Sequence, residues 1–110
     1  MRVEEFAQKL DMKVIAGEKN LDKEVSGMYV CDLMSWVMSH ASRGDAWITV
    51  HTHLNVIAVA LLTEVACVII PEGIAVDENT INKANEEGVV LLGTTVRAYE
   101  ICWKAHNLLG

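Results

Sequence analysis

Apolar positions along the chain alternate between two spacings. Val3, Phe6, Ala7 and Leu10 recur at helical intervals, and the run KVIAG after them is short and ends in Gly17. A helix over 3–10 followed by a strand is expected. Beyond the polar turn EKNLDKE, residues 25–32 (VSGMYVCD) are rich in β-formers and read as a second strand. Leu33, Trp36, Val37, His40 and Ala41 return to helical spacing, with Met34 and Met38 on the other face, until Arg43-Gly44-Asp45 stops the helix. AWITV at 46–50 is a continuous apolar strand. From Leu54 to Val65 no charge occurs before Glu64, which predicts a helix buried on both sides. ACVII (66–70) forms a fourth strand, stopped by Pro71 and Gly73. Asp77 is placed to N-cap the helix ENTINKANEE, which Gly88 ends. VVLL (89–92) is a fifth strand, and Gly93-Thr94-Thr95 leads into the amphipathic helix VRAYEICWKAHNLL.

Short Val/Ile-rich strands alternating with helices predict the α/β class: three layers, a mostly parallel sheet of about five strands, and helices on both faces. No linker, low-complexity tract or fixed-period repeat divides the chain, so residues 1–110 are expected to form a single domain with a radius of gyration of about 13 Å.

Composition narrows function. With 110 residues, 52% of them apolar, there is room for one core and one cleft, not for separate nucleotide and substrate halves. A net charge of −6 and a pI near 5.1 exclude a basic nucleic-acid surface. The start MRVEEFAQKL carries acids where a secretory signal needs a basic region, and the longest apolar stretch, Val56 to Leu62, is seven residues, far short of the roughly 20 of a membrane span. Cys31, Cys67 and Cys102 are odd in number and set in apolar surroundings, which fits reduced, buried thiols and a cytoplasmic location. Met34, Trp36, Met38, Trp103 and the bare helix 54–65 are more apolar surface than so small a fold hides, so a homodimer is expected.

In an open parallel sheet, ligands bind beyond the carboxyl ends of the strands. Four loops stand there: Cys31 and Asp32; His51, Thr52, His53 and Asn55; Pro71 and Glu72; Gly93, Thr94 and Thr95. Residues two apart on an extended strand share a side, so His51 and His53 have the spacing to share an ion with Asp32 or Cys31. Equally, one imidazole packs, the other hydrogen-bonds, and Thr52 or Asn55 caps the following helix. No third ligand has diagnostic spacing, so the second reading is preferred and neither metal nor cofactor is expected. Gly93-Thr94-Thr95 offers backbone donors, two hydroxyls and a helix dipole to a phosphate or carboxylate, or simply caps the helix. Neither GxGxxG nor GxxxxGK[ST] nor GxSxG occurs, and Cys31 beside Asp32 is a poor nucleophile because a neighbouring carboxylate opposes the thiolate. An enzyme is not expected. His40 and His106 read as helix surface.

The order of elements, with MKVIAGEKNLDKEVSGMYVCDL, GDAWITVHTHLNVIAVALL and EEGVVLLGTTVRAYEI, resembles the DRTGG-domain family over nearly the whole chain. The resemblance implies a fold similar to the N-terminal domains of Mur ligases, and a relation to the N-terminal domain of HPr kinase/phosphorylase. It also implies a regulatory or scaffolding role without catalysis, as in family members attached to phosphotransacetylases and CBS-domain pyrophosphatases. The family's naming loop would follow the third strand, where this chain has His51-Thr52-His53-Leu54-Asn55. The signature acid and arginine positions hold His53 and Leu54, so anion recognition by that arginine does not carry over. Standalone members with an HTHLN-like loop resemble accessories of redox enzymes.

The expectation is therefore a non-enzymatic regulatory domain whose carboxyl edge, lined by Asp32, His51, Thr52, His53, Asn55, Thr94 and Thr95, binds a small anionic metabolite or nucleotide. The alternative is a scaffolding accessory of a redox or metabolic enzyme.

Overall fold

In a computed structural model describing residues 1–110, the continuous apolar runs become short strands at the centre of a three-layer sandwich. The elements are α1 (Val3–Lys9), β1 (Lys13–Ala16), β2 (Gly27–Val30), α2 (Met34–His40), β3 (Asp45–Ile48), α3 (Asn55–Thr63), β4 (Cys67–Ile70), α4 (Glu78–Glu87), β5 (Leu91–Gly93) and α5 (Ala98–Leu109). A single 3-10 turn, Glu18–Asn20, follows β1. Every residue of β3 and β4 is buried, as strands covered on both faces require.

The sheet order is β1-β5-β4-β3-β2. Strands β2 to β5 run parallel, each crossing to the next through a helix, whereas β1 pairs antiparallel with β5, Lys13 opposite Gly93. Successive side chains point to opposite faces. Ala46, Ile48, Cys67, Ile69 and Leu92 meet Val3, Phe6, Ala7, Ile101 and Ala105 of α1 and α5. Trp47, Val68, Ile70 and Leu91 meet Val37, Val56, Ile57, Ala60 and Ala84 of α2, α3 and α4. Trp47 is fully buried and its indole Nε1 donates to the Cys31 carbonyl at 2.9 Å, so the largest core side chain also pins the end of β2. Packing is tight, with a radius of gyration of 12.1 Å.

Gly17 turns the chain out of β1 at φ +80°, and a Cβ there would collide with the Val89 carbonyl. Its N–H donates to Asn85 Oδ1 at 2.9 Å, tying the turn to α4.

Four expectations differ from the structure. Helix α3 is not buried on both sides: Val56, Ile57, Val59 and Ala60 face the core, but Leu54, Leu61 and Leu62 are 45, 45 and 65% exposed. It sits on one face of the sheet between α2 and α4, which leaves its outer side to solvent. In α2 the inner stripe runs through Met34, Val37 and Ala41, because Leu33 precedes the helix as its N-cap; Leu33 and Trp36 point outward, and Trp36 stacks on His40 with ring centroids 3.8 Å apart. Asp77 occupies the N-cap of α4 but makes no side-chain bond to its N–H groups, and its Oδ1 accepts from Thr52 Oγ1 at 3.4 Å instead. Likewise the N-cap of α3 is Leu54, with no side-chain cap from Thr52 or Asn55.

Candidate functional site

Because β2 to β5 are parallel, their carboxyl ends share one edge, and antiparallel β1 brings its first residue, Lys13, to that same edge. The residues expected to line it fall into two groups.

At the ends of β2 and β3, side chains bind one another. Asp32 Oδ1 accepts from Thr49 Oγ1 at 2.8 Å and from the Val50 N–H at 2.9 Å. His51 Nε2 donates to the Asp32 carbonyl at 2.6 Å, which places a proton on Nε2, and the His51 N–H donates to Thr49 Oγ1 at 3.3 Å. The Thr52 carbonyl accepts from Thr80 Oγ1 at 2.7 Å. Asp32, His51 and Thr52 thus lace three loops together. His53 and Asn55 are exposed and make no side-chain hydrogen bond within the fold. The HTH tripeptide lies beyond the end of β3, so its imidazoles do not share a strand face, and no group of three or more His, Cys, Asp or Glu comes together in the molecule. Thr49, 1% exposed and central to this network, has no signature in the sequence beyond its place in AWITV.

At the ends of β4 and β5 the ladder continues past the strands. The Thr94 N–H donates to Ile70 O at 3.1 Å, Gly73 to Thr94 O at 2.8 Å, and Glu72 to Val96 O at 3.0 Å. Glu72 and Gly73 adopt left-handed φ values of +60° and +67°, and this fold-back opens the chain beside β1. The result is a cleft of about 490 Å³ walled by Lys13, Ile15, Ile74, Thr94, Thr95 and Lys104. Thr94 Oγ1 accepts from the Val96 N–H at 3.2 Å, so its own proton is available to donate. Gly93 lets Ile15 lie over the strand end, where a Cβ would come within 2.7 Å of Ile15 Cδ1. Lys104 is held by Glu100 at 2.7 Å; Lys13 makes no ion pair. Asp11 stands in the same lining.

Neither lysine was expected. Lys13 reaches the edge only because β1 runs antiparallel, and Lys104 lies two helical turns beyond the Thr94-Thr95 loop; neither carries a local motif. A larger cavity of about 590 Å³ opens at the opposite edge, but its Arg43 and Glu64 pair with each other at 3.3 Å and its Glu24 is held by the N-terminal ammonium at 2.8 Å. That hydrogen bond and charge keep the Glu24 carboxyl below its usual range. Apart from Lys23, its charged groups are paired, and it lies away from the carboxyl ends of the strands where the loops converge.

Thiol chemistry is also constrained. Burial pushes the Cys67 thiol up to about 12 and raises that of Cys102, so both are disfavoured as thiolates. Cys67 is buried, while Cys31 and Cys102 are partly exposed.

The DRTGG domain family model matches residues 5–108. This chain belongs to the DRTGG family. The fold of this DRTGG domain is similar to a solved structure described as the CBS and DRTGG domains of the regulatory region of Clostridium perfringens pyrophosphatase complexed with activator, diadenosine tetraphosphate. The TM-score is 0.72 at 13% identity, over 98% of this chain and 46% of that one, a level of identity that speaks to the fold. This chain therefore spans under half the length of that neighbour. No curated protein matches it. No helix of this DRTGG domain is long and apolar enough to cross a membrane.

Proposed function

We propose that this DRTGG domain is a regulatory module, without catalysis of its own, that senses a small anionic metabolite or nucleotide at the carboxyl edge of its sheet. The observation that carries this reading is the cleft at the ends of β4 and β5. There Thr94 and Thr95 stand beside Lys13, a cation with no ion-pair partner, in a chain whose net charge is −6. Thr94 and Thr95 are the direct contacts. Asp32, His51, Thr52, His53 and Asn55 line the same edge toward β2, the first three fixing the loops and His53 and Asn55 free to meet the far end of a ligand. That the pyrophosphatase region of similar fold is described with a nucleotide activator fits this reading.

A thermal-shift screen of nucleotides and phosphorylated metabolites tests it. Stabilisation by at least one, reduced in Thr94→Ala, is the expected result. Absence of any shift across the screen, or a shift that Thr94→Ala and His53→Ala leave untouched, refutes it.

A second reading rests on the exposed apolar side chains of Leu33, Trp36, Leu61 and Leu62 on α2 and α3, and of Tyr99 and Trp103 on α5. Monomers rarely leave such surface bare. We infer that the domain is a homodimer in the cytoplasm, and that a remaining face serves as a scaffold for a partner enzyme of redox or other metabolism. Co-purification of a stoichiometric partner, lost in Trp103→Asp, supports the scaffold; a solitary monomer opposes both parts.

A further inference from the structure

Resting on the sensing reading above, the chemistry of the cleft narrows its ligand. Cations are scarce in this chain, and Lys9, Arg43, Lys83 and Lys104 are all engaged by carboxylates. Arg2, Lys13, Lys19, Lys23 and Arg97 are not, and of these it is Lys13 that the antiparallel pairing of β1 sets at the carboxyl edge, opposite Gly93 and one residue before Thr94. Lys104 shares the same cavity, its ammonium drawn to Glu100 and lying 5.8 Å from the centre of the Trp103 ring. Two ammonium groups and two threonine hydroxyls facing one cavity match the oxygens of a single phosphate ester, which accept several charge-assisted bonds at once.

The remaining wall is of a different kind. Ile15, Ile74, Val76 and Ile81 line it, three of them packed against the core behind, and they offer an apolar platform to a flat, uncharged group. Asp11, also in the lining, opposes further negative charge and favours a ligand that presents donors, such as sugar hydroxyls or an exocyclic amine. About 490 Å³ lies within the roughly 300–1,000 Å³ of small-molecule sites, and two cations, one of them shared with Glu100, beside Asp11 match one phosphate rather than a polyphosphate chain.

We propose that the cleft between Lys13 and Lys104 binds a nucleoside monophosphate, its phosphate held by the two ammonium groups and the Thr94 and Thr95 hydroxyls, and its base laid on the isoleucine wall. The ligand enters from the carboxyl edge, base toward Ile74 and Ile81, ribose toward Asp11.

Amide NMR titration of the intact chain with AMP, adenosine, ribose 5-phosphate and inorganic phosphate tests this. AMP is expected to shift the amides of Lys13, Gly73, Thr94 and Thr95, and to bind at least about tenfold tighter than each of the other three. Lys13→Gln and Lys104→Gln are each expected to weaken AMP about tenfold, the loss of one charge-assisted bond. Their spectra without ligand should match the parent outside the substituted residue, which shows that they are folded. Ribose 5-phosphate binding as tightly as AMP overturns the base contact, and wild-type affinity in both lysine variants overturns the phosphate site. AMP shifts confined to His51–Asn55 overturn this cleft yet leave the sensing reading standing. If no anion of the thermal-shift screen binds anywhere, both fall.

Discussion

Thr49 Oγ1 donates to Asp32 Oδ1 at 2.8 Å, joining the ends of β3 and β2 through a threonine that is 1% exposed. A buried hydroxyl that loses a charged acceptor keeps its desolvation cost and gains nothing in return. Asp32→Ala is expected to cost about 1–3 kcal/mol, measured as a lower urea midpoint at unchanged slope. Thr49→Val removes the donor with the need for it, so the double variant should be less destabilised than the sum of the singles. Strict additivity would show that the contact carries no coupling.

Two glycines separate backbone strain from collision. Gly17 has φ +80° and no room for a Cβ beside the Val89 carbonyl; Gly73 has φ +67°, but the nearest atom to an added Cβ is Thr95 Cγ2 at 3.8 Å. Gly73→Ala is expected to cost about 1–2 kcal/mol, the left-handed strain alone. Gly17→Ala must also displace the chain at β5 and should lose more, enough to be seen by calorimetry as a clearly lower Tm. Equal losses would mean that the sheet shifts freely at residue 17.

The Cys67 thiol sets an alkaline limit. Burial raises its pKa in the fold to about 12, above the unfolded value of 9.0, so between these pH values the unfolded chain has released a proton that the folded chain still holds. Its contribution to stability is therefore intact below pH 9 and declines as pH rises toward 12, at up to about 1.4 kcal/mol per pH unit. Cys67→Ala should flatten this part of the curve relative to the parent in urea titrations at successive pH values. Parallel curves would show that the thiol stays protonated in both states or in neither.

Trp36 is half exposed and stacked on His40, a flat surface of the kind that anchors subunit contacts. On the dimer reading, sedimentation equilibrium should give twice the chain mass, and Trp36→Asp or Leu62→Asp should give the monomer with unchanged circular dichroism. A Trp36→Asp protein that remains dimeric would move the contact to another face, with α5 and its Trp103 the next to test.

Layers and strands were legible because period and length speak locally: DAWI and CVII are apolar at nearly every position, and only a strand sealed on both faces needs that. Helix phase was less so. In α2 nearly every residue is apolar or small, so spacing alone could not choose between the stripe through Leu33 and Trp36 and the one through Met34 and Val37; packing on β3 and α3 chose. At the edge, Thr94 and Thr95 were readable from their place between β5 and α5. Lys13 was not, because its position depends on the direction of β1, which is set by pairing with residues near the other end of the chain. Thr49 was hidden for a similar reason: its partner Asp32 lies in the loop beyond another strand.

The antiparallel ladder of β1 on β5 also orders the birth of the molecule. Lys13 finds its place opposite Gly93, so the strand of this sheet that is made earliest is the last to gain a neighbour in it. Until β5 is made, β1 has no ladder to join, and the wall that carries Lys13 and Ile15 does not exist. A nascent or truncated chain lacking β5 and α5 therefore presents the loops of Asp32 and His51 but no cleft, and a ligand held between Lys13 and Lys104 would stabilise only molecules in which α5 has been made.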